Sequence, residues 1–136
     1  MKKIAYFFEF ILIKILFILF VLIGYRLSSN LGFFIGRTVG PIFRSKKKII
    51  QNLKKANIQH PNLSKIASNV LGNYGRIFAE YNYLKKFRNN ELKKYISIDG
   101  LEHLENLKKQ NKKAVFISGH FNNFELMAME IEKAGI

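Results

Sequence analysis

The fold turns on how residues 95–131, YISIDGLEHLENLKKQNKKAVFISGHFNNFELMAMEI, are read. YISIDG is a short β-rich run stopped by Asp99-Gly100, LEHLENLKKQNKK is a polar helix, and AVFIS is an unbroken apolar run of strand length. AVFIS has no polar alternation, the pattern expected of a strand buried on both faces of a parallel sheet. A second helix follows, since Phe124, Met127, Ala128 and Ile131 repeat at i, i+3, i+4 and i+7. The expectation is therefore α/β: a helical region followed by the start of a mostly parallel sheet, with a right-handed crossover between the two strands.

Upstream the chain is helical in pattern. Residues 62–87 carry Ile66, Val70, Tyr74, Ile77, Phe78, Tyr81 and Leu84 at helical spacing, which predicts one long amphipathic helix entered through Pro61-Asn62. RSKKKIIQNLKKAN predicts a basic amphipathic helix capped near Ser45. SSNLGFFIGRTVGP predicts a short apolar helix ending at Pro41. Its Gly32, Gly36 and Gly40 would line one face and allow a neighbouring backbone to approach closely.

Residues 4–25 are almost wholly Ile, Leu, Phe and Val, interrupted by Glu9 and Lys14. A bilayer-spanning helix needs roughly 20 apolar residues, and Lys14 can extend its stem toward an interface, so the segment reads as a membrane anchor. A buried core helix and a helix lying in the membrane interface are the alternatives. The sequence around residues 23–26 offers no small-residue cleavage site, so the segment is expected to be retained. Charge is uneven along the chain. Residues 1–60 hold eleven Lys or Arg against Glu9 alone, +10 of the chain's net +14. Such an excess calls for an anionic partner. Because it adjoins the most hydrophobic segment, and no nucleic-acid motif accompanies it, that partner is membrane lipid rather than nucleic acid. Arg26, Arg37, Arg44 and Lys46 to Lys48 follow the apolar segment and place the rest of the chain in the cytoplasm by the positive-inside rule. The absence of cysteine excludes disulfides and thiolate metal sites. The expected organisation is an anchor over 1–26, a basic membrane-proximal helical region over 27–90 and an α/β portion over 91–136.

Three histidines are present. His60 lies in a turn and His103 in the acidic run LEHLENL, both read as solvated positions. His120 follows AVFIS directly, where reacting groups gather in open α/β sheets, and Glu125 is five residues on. Were both helical, about 500° of rotation would set them on different faces, so His120 must precede the helix for the two to meet. Asn122 or Asn123 could then cap the helix. A carboxylate holding an imidazole suits a general base. With no GxSxG elbow and no cysteine, the nucleophile would be a substrate hydroxyl attacking an acyl thioester. The residue types equally allow a histidine that merely ends a strand and a glutamate exposed on a helix.

ISGHFNNFELM resembles the H-x4-D/E block of membrane glycerolipid-type acyltransferases, and more narrowly the G-H-F-G-N-W-E block of the lipid A biosynthesis lauroyl/myristoyl acyltransferases. The resemblance continues through the apolar anchor, LGFFIGRTVGP, KKKIIQNLKKA, NYGRIFAEY and IDGLEHLENL. The family's glycine is Asn122 here, a residue that tolerates left-handed backbone, and its tryptophan is Phe124. The resemblance implies a bacterial inner-membrane O-acyltransferase moving a fatty acyl chain from acyl carrier protein to a hydroxyl of a lipid A precursor. His120 would be the base, Glu125 its orienting acid and Asn123 a substrate contact, with acyl carrier protein a co-substrate and no cofactor or metal. Family members are longer, and the motifs that bind acceptor phosphates and shape the oxyanion site have no counterpart here. An amino-terminal portion, catalytically incomplete by itself, is therefore expected. The alternative is a non-catalytic basic membrane-binding protein derived from this family.

Overall fold

The computed structural model describes residues 2–136, side chains from residue 3 onward. The chain forms two compact units, Met1–Tyr83 and Leu84–Ile136.

The first unit opens with α1, Lys2–Ile23, broken from α2, Tyr25–Phe43, by Gly24 alone. At φ 80 and ψ 164, Gly24 occupies backbone space that an L-residue side chain opposes, which is how a single residue separates two helices. Pro41 does not stop α2, which runs on to Phe43. In the last turn, proline forfeits one helical hydrogen bond, and the Arg44 N–H still reaches the Gly40 carbonyl at 2.9 Å.

α3, Lys46–Lys55, begins at the Ser45 cap, whose hydroxyl accepts from the Lys48 N–H at 3.5 Å. Its apolar stripe places Ile49 against Ala67 and Leu71 of α4, Leu63–Glu80. The start of α4 is capped by Asn62 Oδ1, which accepts from the Lys65 N–H at 2.8 Å.

The dominant packing in this unit is α2 on α4, and glycine makes it possible. A Cβ added to Gly32 would sit 2.5 Å from the Gly75 carbonyl oxygen, and one added to Gly36 would sit 2.5 Å from that of Leu71. The expected glycine face of α2 is thus used, and its partner is a second small-residue face on α4 formed by Gly72, Gly75 and Ala79.

The long helix expected over 62–87 is interrupted. α4 ends at Glu80, a 3₁₀ turn covers Tyr81–Tyr83, and α5 is Leu84–Arg88. The tighter turn accompanies burial of Tyr83, whose hydroxyl donates to the Phe20 carbonyl and lies 3.0 Å from Ser28 Oγ. Both side chains are buried at the α1–α2 corner.

The second unit overturns the expected α/β class. Among the described residues there is no strand: α5 is followed by a 3₁₀ turn at Lys93–Tyr95, then α6, Leu101–Lys109, and α7, Glu125–Lys133. Tyr95 of YISIDG lies in the 3₁₀ turn, and AVFIS is irregular, with Val115 88% and Ile117 94% exposed rather than buried on two faces. The reason is non-local. A strand satisfies its amides only through neighbours, and two parallel candidates fall short of the three or more strands that make a sheet independently stable. Without a sheet to cover, α7 turns a different face inward. Met129 is buried and Met127 is 43% exposed. Polar ties to α5 and the following turn replace sheet packing: Arg88 grips Glu132 with two hydrogen bonds of 2.8 and 2.9 Å, and Lys133 donates to Asn90 Oδ1 at 2.6 Å.

Candidate functional site

The candidate catalytic residues flank the start of α7: His120 and Asn123 precede it and Glu125 is its first residue. Helix α7 begins at Glu125, and the chain reaches it through a turn that Asn122 enters with φ 45. Few residues other than glycine tolerate that conformation, and asparagine is among those that do. The position where the related block carries glycine therefore keeps glycine-like backbone in this chain. The Phe121 N–H closes a tight bond of 2.8 Å to the Gly119 carbonyl, so the direction of the chain changes within residues 119–122.

This geometry puts His120 ahead of the helix and Glu125 at its first residue, the order required for an imidazole and a carboxylate five residues apart to face each other. His120 is exposed, and its ring meets Phe124 edge-on at 4.3 Å with an interplanar angle of 87°. Edge-to-face packing of two aromatic rings is a favourable contact. Phe124, standing where the related block has tryptophan, packs against the His120 ring. Glu125 and Asn123 are half-buried. At the first turn of α7 the Glu125 carboxylate also lies at the positive end of the helix dipole.

The expected cap is different. Phe124 occupies the cap position in helical conformation, φ −63 and ψ −20, and makes no side-chain cap hydrogen bond. The first amides are met by backbone instead, Leu126 N–H donating to Asn123 O at 3.2 Å and Met127 N–H to Phe124 O at 3.1 Å. His60 is exposed, and its Nδ1 accepts from the Asn62 N–H at 3.0 Å, so it supports the entry to α4. His103 is exposed on α6 with Glu102 at 3.7 Å. Among the described residues no group of three or more His, Asp or Glu side chains could hold a metal ion.

Sequence reasoning missed a polar corner in the first unit. Glu80, 7% exposed, accepts from Ser29 Oγ at 2.8 Å and from the Tyr25 hydroxyl at 3.3 Å, beside the Ser28–Tyr83 pair. Its signal was available: a lone carboxylate on the apolar helix GRIFAEY, opposite two serines just past a helix break. It also missed the pairing of Arg44 with Tyr74, in which the guanidinium donates to the phenol at 3.1 Å and lies 5.1 Å from the ring centroid.

Residues 1–135 match the family model described as bacterial lipid A biosynthesis acyltransferase. The match covers nearly the whole chain, and the chain belongs to this family. Comparison with curated proteins and with solved structures gives no match.

Proposed function

We propose that this member of the family takes part in transfer of a fatty acyl chain from acyl carrier protein to a hydroxyl of a lipid A precursor at the bacterial inner membrane. The observation that carries the reading is the H-x4-E block as folded: His120 exposed ahead of α7, Glu125 on its first turn, and Asn122 supplying the positive φ between them. His120 removes the acceptor hydroxyl's proton as the oxygen attacks the thioester carbonyl. The tetrahedral intermediate then collapses with cleavage of the C–S bond, and the imidazolium returns the proton to the departing thiolate. Glu125 holds the imidazole and offsets its transient charge, and Asn123 is the assigned contact to the acceptor.

Helix α1 supports this location. Helix residues Lys3–Ile23, 21 in all, include an 18-residue window of mean hydropathy 2.6 that is 6% buried. At 1.5 Å per residue the helix is about 31 Å long, close to the roughly 30 Å hydrocarbon thickness. An exposed surface this apolar fits lipid and does not fit water. The basic residues that follow favour the cytoplasmic side.

The test is His120→Ala in the native gene, with lipid A acylation measured by mass spectrometry. Loss of a positioned base costs on the order of 10² to 10⁴ in rate, so lipid A lacking one acyl chain should accumulate. Glu125→Gln should reduce transfer while leaving protein levels unchanged. Unchanged lipid A in His120→Ala, with the protein still present in membranes, would refute the mechanism and favour the non-catalytic membrane-binding reading.

A further inference from the structure

Beside the α2–α4 crossing lies a groove of about 390 Å³, within the roughly 300–1,000 Å³ typical of ligand pockets. Its walls come from three helices: Leu16 and Phe20 of α1, Ile35 and Val39 of α2, and Leu71 and Phe78 of α4. Gly32, Gly36 and Gly75 contribute only backbone to its floor, where α2 and α4 meet. Along this length the lining is apolar. Arg44 and Tyr74 also line the groove, and they are joined to each other as described above.

Among the described residues of this unit, no carboxylate forms an ion pair with Arg44. Glu9 and Glu80 are the only acids in residues 1–83, and Glu80 is engaged by Ser29 and Tyr25. Lys46, Lys47 and Lys48 follow within four residues and add to the positive field. An apolar slot beside a cationic, hydrogen-bonding group is complementary to an amphiphile with a hydrocarbon tail and an anionic head. Leu16 and Phe20 belong to the apolar length of α1, so a groove they line adjoins the acyl chains of the surrounding bilayer.

We infer that this groove binds one anionic phospholipid of the membrane, a single acyl chain lying against the glycines of α2 and α4 and the phosphate engaging Arg44. The inference rests on the reading of α1 as a membrane helix, and goes beyond the acyl transfer proposed for His120. Arg44 supplies the charge, and its contact with the Tyr74 ring limits the guanidinium's freedom before the lipid arrives. Val39, 40% exposed, is the position from which the slot can be closed without entering the α2–α4 contact.

The experiment uses the full chain in nanodiscs of equimolar phosphatidylglycerol and phosphatidylcholine, each carrying a diazirine in the acyl chain. Crosslinked peptides are mapped by mass spectrometry, and alkaline carbonate extraction of native membranes is run in parallel. Phosphatidylglycerol should label α2 and α4 peptides in excess over phosphatidylcholine. Arg44→Gln should reduce that excess about fivefold, the factor expected for one basic residue at a membrane surface. Val39→Trp should suppress α2 and α4 labelling by both lipids, whereas Val39→Ala should not, with helicity checked by circular dichroism for each. Equal labelling by the two lipids, or undiminished labelling in a folded Val39→Trp chain, would overturn the groove assignment. Extraction of the chain by carbonate would instead overturn the membrane reading, and with it the bilayer as the lipid's source.

Discussion

Replacing Gly36 by alanine tests the packing on which the first unit depends. The new Cβ would lie 2.5 Å from the Leu71 carbonyl oxygen, 2.8 Å from the Gly75 amide nitrogen and 2.9 Å from the Gly75 Cα. All three are backbone atoms, so no side chain can rotate out of the way, and α2 and α4 must separate by several tenths of an ångström or more. Overpacking of this kind costs about 1–3 kcal/mol. Alanine has the better helix propensity by about 1 kcal/mol, which opposes the clash. The backbone nature of all three contacts places the clash near the upper end, so a net loss of about 1–2 kcal/mol is expected. Gly40→Ala is the internal control. There the nearest atom is the Leu71 Cβ at 3.2 Å, a side-chain contact that yields with a small shift, and the propensity gain should cancel most of the cost. Both variants would be unfolded chemically in one mild detergent, with helicity followed by circular dichroism. Gly36→Ala equal to or more stable than the parent, or Gly40→Ala losing as much as Gly36→Ala, would refute the backbone-contact argument.

Gly24→Ala should also destabilise, by about 1–3 kcal/mol, although nothing lies within 4 Å of its added Cβ, because φ 80 is itself strained for alanine; a thermal melt that matches the parent would contradict this. Tyr83→Phe should cost about 1 kcal/mol in the same melt by removing the hydroxyl that joins Ser28 and the Phe20 carbonyl. In the second unit, Arg88 holds the Glu132 carboxyl below its ordinary value of 4.5 through hydrogen bonding and charge. The pair's contribution is therefore present above about pH 4.5 and is lost as pH falls through the lowered value. Both groups are exposed, so the effect should be small and weakened by salt; amide exchange in α7 should rise in acid, and Glu132→Gln should abolish that acid dependence.

The parts of this protein legible in its sequence are those set by near neighbours along the chain. The apolar length of α1 follows from composition, and the Ser45 and Asn62 caps each need only an amide three residues on. Positive φ at Asn122 belongs to the same class, because asparagine's tolerance is a property of one residue. That the helix starts after His120 agrees with the reading that a helical His120 could not meet Glu125, although that reading assumes the two meet. Tertiary structure decided what met what. The glycines of α2 announced a close approach, but Gly75 as the backbone they meet, some forty residues away, had no local signal. AVFIS carries the pattern of a buried strand, yet a strand exists only when neighbours complete its ladder, and here its side chains are exposed. With no sheet, Met127 and Ala128 of the α7 face expected to be buried are exposed, while Met129 is buried. Periodicity specifies that a helix has an apolar face, and only the surface available to cover it determines which face is buried.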